Sequence, residues 1–163
     1  MSHDEILARL NERFGAAVQK GSEAIDFTVH VEPSALVEVA RFLRDELGFD
    51  FLSNLTAVDW PEHFAVVYHL YSTQHPAPPL VLKVLLHDKE NPRLPSVVQV
   101  WEGANFQERE VYDLMGIVFE GHPNLQRILL WDGFPGHPLR KSFVNRTFAY
   151  EEMEPTLPPP EQR

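Results

Sequence analysis

Ile6, Leu7, Leu10 and Phe14 recur every three or four positions, with Asp4, Glu5, Arg9, Glu12 and Arg13 between them. That is the period of a helix turning one stripe inward. Ile25 to Val31 alternates apolar and polar residues, as a half-exposed strand does, and puts His30 on its solvent side. Pro33 suits a first helical turn, and Leu36, Val39, Ala40, Leu43 and Leu47 then mark one face of a second helix up to a stop at Gly48. Phe49–Val58, Phe64–Tyr71 and Leu80–Leu86 read as three more strands, separated by Asp59-Trp60-Pro61-Glu62 and by a Pro-rich loop at 76–79. Connections this short favour an antiparallel meander. Residues 1–100 are therefore expected to form an α+β domain: a mixed, largely antiparallel four-stranded sheet with helices on one face.

The pattern changes at Trp101. From there to Phe148 lie 8 of the chain's 18 aromatic residues, together with six acids and five Lys or Arg. Asn105 reads as a helix N-cap, with Glu108 three residues on able to close a capping box, and Gly116 as the left-handed stop. Within that helix Arg109 and Asp113 stand four apart and can pair along one face, for a few tenths of a kcal/mol at most when exposed. A short strand around Ile117–Phe119 leads into a long ordered loop punctuated by His122-Pro123, His137-Pro138, Gly121, Gly133 and Gly136. Long ordered loops usually carry function or contacts. Residues 101–148 thus form a helix and docking loop packed on the first domain, and 149–163 an acidic, Pro-rich tail, disordered or laid along a neighbour.

Composition narrows the function classes. A formal charge of −10 argues against binding nucleic acid or an anionic membrane by charge. The absence of cysteine removes disulfides, thiolate nucleophiles and the usual ligands of iron–sulfur clusters. The acidic N-terminus leads into an amphipathic pattern and does not read as a signal peptide, and the charge-free stretch Phe64–Leu82 is interrupted by His, Gln and Pro, so no membrane span is expected.

Candidate chemistry is sparse. The Gly-x-Gly-x-x-Gly dinucleotide fingerprint and the Gly-x-Ser-x-Gly elbow are both missing, and Lys141-Ser142 lacks the framing glycines of a phosphate loop, since Pro135 and Arg140 occupy those places. Glu110 and Asp113, three apart on one helix side, with His122 and His137 in rigid backbone, form a possible metal set for a free-standing hydrolase. The other use of these charges is a network that fastens the loop to its own helix or to another subunit. Arg109, Arg127 and Arg140 offer rigid forks for carboxylates, and interfaces favour Arg alongside Trp, Tyr and Phe. On this reading the region is a mating surface whose charges a companion chain satisfies; an internal clamp is the alternative.

Glu108-Arg109-Glu110-x-Tyr112-Asp113-Leu114-x-Gly116-Ile117, then Phe119, His122-Pro123, Leu125, Arg127-Ile128-Leu129 and Gly136-His137-Pro138-Leu139-Arg140-Lys141 closely resemble the signature of the 30 kDa subunit family of respiratory complex I. The same pattern runs in the photosynthetic relatives of that proton-pumping NADH:quinone oxidoreductase. The resemblance implies a cofactor-free subunit of the hydrophilic arm, without catalytic, cofactor or metal residues, packed on the 49 kDa-type chain. It further implies peripheral attachment to the cytoplasmic side of the cell membrane through the complex, with NADH, FMN, iron–sulfur clusters and quinone held by the assembly. An energy-converting hydrogenase or a ferredoxin-driven complex would use an equivalent subunit. Three positions depart from the family pattern: Gln126 stands for a basic residue, Trp131 for a proline and Ser142 for an aspartate.

Overall fold

In the computed structural model residues 1–21, 27–149 and 152 are described. Helix α1 (His3–Phe14) starts at a reciprocal capping box: the Ser2 hydroxyl accepts from the Glu5 N–H, and the Glu5 carboxylate accepts from the Ser2 N–H. Its Ile6 and Leu10 are fully buried, as their spacing predicts. Strands β1 (Val18–Lys20) and β2 (Thr28–Val31) follow, then a single 3₁₀ turn at Pro33–Ala35 that runs into α2 (Leu36–Asp45). Strands β3 (Phe51–Asp59), β4 (Phe64–Tyr71) and β5 (Leu80–Leu86) form the expected antiparallel meander.

The sheet has five strands, in the order β1-β2-β5-β4-β3, and not four. All neighbours are antiparallel except β2 and β5, so the mixed character holds. β1 is three residues long, too short for alternation to register as a period. The strand expected from Ile25 begins at Thr28; Ile25 and Asp26 lie outside the described residues, as does nearly all of the tail expected at 149–163.

Phe64, Val66, Tyr68 and Leu70 of β4 and Leu80, Leu82, Val84 and Leu86 of β5 join one hydrophobic cluster with residues of the α-helices. Because side chains alternate along a strand, that cluster marks one face of the sheet and the helices share it. On the other face the cross-strand pair Phe51 and Tyr71 is half-exposed.

Helix α3 (Ala104–Met115) lies between β6 (Arg93–Pro95) and β7 (Val118–Glu120), which pair in parallel as a separate two-stranded sheet. α3 is thus the crossover of a small β-α-β unit, and it packs against β3, an edge strand. The helix and its approach satisfy groups at that edge. The Gln107 side-chain oxygen accepts from the Leu55 N–H at 2.5 Å, and the Trp101 indole N–H donates to the Phe49 carbonyl at 3.0 Å. An edge covered in this way has fewer free groups to pair with a foreign strand.

Gln107→Leu removes the acceptor for the Leu55 N–H and is expected to lower stability by about 1–2 kcal/mol. Chemical denaturation of the variant checks this, and an unchanged midpoint would show the edge contact to be dispensable.

Candidate functional site

An α-helix ends with four carbonyls that lack helical partners. In α3 all four are answered. Gly116, left-handed at φ 70°, returns its N–H to the Tyr112 carbonyl at 2.8 Å. The Asp113 carbonyl accepts from His137 Nδ1 at 2.9 Å and from Arg127 Nη1 at 3.3 Å. The Leu114 carbonyl accepts from the Leu139 N–H at 3.0 Å, and the Met115 carbonyl from Arg140 Nε at 2.6 Å. Two guanidinium groups therefore sit at the negative end of the helix dipole. The packing leaves room for a glycine alone: a Cβ on Gly116 would stand 2.5 Å from the His137 ring and 2.9 Å from Arg140 Nη2.

The fully buried Asp113 carboxylate extends the same clasp. Its Oδ2 accepts from the N–H groups of Ile128, Leu129 and Leu130 at 2.8–3.0 Å, and its Oδ1 from Arg127 Nη1 at 2.8 Å. Burial works against the charged form, but the three backbone N–H groups and Arg127 outweigh it and hold the carboxyl below the usual range. Arg127 directs Nη2 to the carbonyls of Phe134 and Gly136, both at 3.2 Å. One acid and one guanidinium thereby fix residues 127–136 against the helix.

The other signature residues have separate employments. Arg109 lies over the Phe106 ring and donates to the carbonyls of Gln126 and Arg127, so the expected Arg109–Asp113 pair does not form; Asp113 is turned inward to Arg127. Gln126 enters this contact through its backbone, where a departure in side chain changes nothing. His122 accepts the Asn124 N–H on Nδ1 at 2.9 Å, which leaves Nε2 to donate to the Asn105 carbonyl at 3.0 Å, with Pro123 exposed in the turn between. Tyr112 is half-buried with its ring 6.5 Å from that of His137, Glu110 is exposed, and Pro138 is half-buried. Trp131, the second departure, packs edge-on against Phe134 and Phe148.

One alternative and one expectation fail here. Glu110, Asp113, His122 and His137 do not converge, and among the described residues no group of three His, Asp or Glu is placed to hold a metal. Arg109, Arg127, Arg140 and Asp113 are hydrogen-bonded within the chain: Asp113 pairs with Arg127, and Arg109 and Arg140 donate to backbone carbonyls. The internal clamp is the arrangement found. The reason is geometric, because a helix C-terminus offers unpartnered carbonyls at the place where the loop's cations arrive.

Glu108 is also not a capping residue. α3 starts one residue before Asn105, with Gly103 at its N-cap. The Glu108 carboxyl is fully buried, taking the Val97 N–H at 2.8 Å and the Ser96 hydroxyl at 2.6 Å and so tying the segment just after β6 to the helix. Burial raises its pKa to about 7 against the opposing pull of those two hydrogen bonds. The Tyr68 hydroxyl, buried with no hydrogen-bond partner among the described residues, is driven well above its usual pKa, first by burial and then by the Glu108 charge.

Lys141, the last signature residue, leads to a group that the sequence pattern does not single out. Asp59, expected in a turn, is a buried carboxylate that accepts from the Lys141 N–H at 2.9 Å and from Lys89 Nζ at 2.5 Å. Arg140 and Lys89 both lie over the aromatic ring of Phe64, at 5.1 and 5.0 Å from its centre. An acid followed by Trp-Pro between two strands is the available signal; its partners lie 30 and 82 residues downstream and leave no local pattern.

The model of the family described as respiratory-chain NADH dehydrogenase, 30 Kd subunit, matches residues 29–149. The C subunit of NADH-quinone oxidoreductase from Roseiflexus castenholzii is 45% identical over 149 residues, covering 86% of this chain and 83% of that protein. The protein of the same name from Moorella thermoacetica is 47% identical over 128 residues, covering 77% of this chain and 85% of its own. Among solved structures, a chain of the membrane-bound sulfane sulfur reductase, an archaeal respiratory membrane complex, superposes with a TM-score of 0.72 at 25% identity, covering 86% of this chain and 85% of that one.

Asp113→Ala leaves Arg127 unpaired and three N–H groups without an acceptor, and is expected to cost about 3–5 kcal/mol. Denaturant titration checks the magnitude, and faster amide exchange at Ile128, Leu129 and Leu130 would locate the loss. For Glu108 the folded pKa is raised from 4.5 to about 7. Between those values the folded chain keeps a proton that the unfolded chain has released, so this group lowers stability as pH rises through the window, by roughly 3 kcal/mol once above it. Glu108→Gln keeps the acceptor for Val97 and is expected to be more stable than the parent at pH 8, with little difference at pH 4. Equal denaturation midpoints at pH 8 would contradict it.

Proposed function

The chain belongs to the family of the respiratory-chain NADH dehydrogenase 30 Kd subunit, and from that premise we propose that it is a non-catalytic peripheral-arm subunit of a proton-translocating NADH:quinone oxidoreductase. The observation that carries this is similarity at 45% identity over most of both chains to a subunit of an enzyme of that name. In this reading it docks on the 49 kDa-type subunit while electrons pass from NADH to quinone through other chains, which hold the FMN, the iron–sulfur clusters and the quinone. Asp113, His122 and His137 are engaged with backbone groups, a use that supports a structural role. The docking surface is the outside of the clasp. Its polar groups are consumed within, and Phe106, Leu129, Leu139 and Val144 are left 59–81% exposed. No helix among the described residues is long and apolar enough to cross a membrane; in this reading the chain is attached through the complex, on the cytoplasmic side of the membrane.

The likeness to a chain of the sulfane sulfur reductase favours a second reading, in which the same subunit serves a respiratory membrane complex with another electron donor, as in an energy-converting hydrogenase or a ferredoxin-driven enzyme. Affinity purification of the tagged chain from membranes is expected to recover iron–sulfur subunits and an NADH-binding flavoprotein, and deleting the chain is expected to abolish NADH-dependent quinone reduction. Partners that include a nickel-site subunit and no flavoprotein would select the second reading. Recovery of the chain alone, with quinone reduction intact after deletion, would defeat both.

A further inference from the structure

Although the protein carries a net charge of −10, the described residues enclose a cleft where cations outnumber acids. It has a volume of about 360 Å³ and lies between the β3–β4 turn and the 140–142 segment, with Lys89, Arg140 and Lys141 against the carboxylate of Asp59. Asp59 is fully used. Lys89 donates to it at 2.5 Å and to the Trp60 carbonyl at 2.6 Å, and the Lys141 N–H takes its other oxygen at 2.9 Å. Lys89 and Asp59 therefore cancel, and they pin the start of the Lys141 segment to the end of β3.

Among the described residues the Lys141 ammonium has no carboxylate against it, and Arg140, whose Nε and Nη2 donate to the Met115 and Gly116 carbonyls, keeps Nη1 and a charge that Asp59, already paired with Lys89, does not cancel. Arg140 is oriented by the Met115 carbonyl and lies over Phe64, while the Lys141 ammonium stands 5.8 Å from the Trp60 ring, which is 49% exposed. Leu139 and Val144, to either side along the chain, are 59% and 81% exposed. Two held cations, a half-open indole and bare aliphatics together have the composition of an interface centre. A phosphate site would present free backbone N–H groups, but the Lys141 N–H is already committed to Asp59.

We infer that this cleft is a socket for an acidic segment of a partner subunit, with an Asp or Glu carboxylate seated between Arg140 and Lys141 and an adjacent apolar side chain laid on Trp60. The inference rests on the proposed role as a docking subunit and adds to it the chemistry of the docked segment.

The intact complex and the isolated full chain are treated with an amine acylating reagent, and the complex separately with a carbodiimide that joins ammonium and carboxylate groups in direct contact. Lys141 is expected to acylate at least about tenfold more slowly in the complex, and the carbodiimide is expected to link it to an Asp or Glu of another subunit. Lys141→Glu is expected to lower recovery of partners about tenfold while Lys141→Arg retains them, with unchanged thermal midpoints showing that both variants fold. Equal acylation of Lys141 in chain and complex, links confined to this chain's own acids, or protection of Lys141 in the isolated chain by millimolar inorganic phosphate would each overturn the socket. A complex that contains the chain but leaves Lys141 reactive rejects the socket alone, whereas a chain that purifies without other subunits rejects the proposed function with it.

Discussion

The last turn of α3 governs the C-terminal third of the protein. Its carbonyls and the Asp113 carboxylate together take hydrogen bonds from Arg127, His137, Arg140 and the main chain at 128–130 and 139. A buried carboxylate is costly unless each lone pair is answered. Asp113 meets that condition with three N–H groups and one guanidinium, so the term that would destabilise a lone acid instead selects one path for the loop. Removing one of these four donors leaves part of that desolvation cost unanswered.

Glu108 and Asp113 sit on one helix and show how different settings divide two carboxyls. Asp113 has a counter-charge and four donors and stays ionised; Glu108 has two neutral donors in the core, and its pKa rises to about 7. The first fastens the loop that follows α3 and the second the segment just after β6. Each end of the β-α-β unit is thus held by an acid of the intervening helix, with opposite consequences for its proton.

Much of the architecture was legible because it rests on periodicity. The faces of α1 and α2 and the three long strands follow from apolar spacing, and Gly116 from the geometry of a helix stop. What was not legible is what depends on distant partners. β1 and β6 are three residues each, too brief for a pattern and stabilised by neighbours already in place. The pairing of Asp113 could not be read, since Arg109 four residues away is the nearer candidate by sequence and Arg127 the one the loop delivers. Asp113, Arg127, His137 and Arg140 meet at the end of α3 while Glu108, His122 and Lys141 bond elsewhere, a division composition does not carry: it shows that acids and arginines are abundant but not whether they face one another.

The αL turn at Gly116 also bears on kinetics. Because residues 127–140 are hydrogen-bonded to the end of α3 in the chain by itself, the proposed docking would ask for little ordering of that backbone. On the proposed docking role, this side of the encounter behaves as a rigid body, so that diffusion and orientation set its speed and the match of the facing surfaces its lifetime.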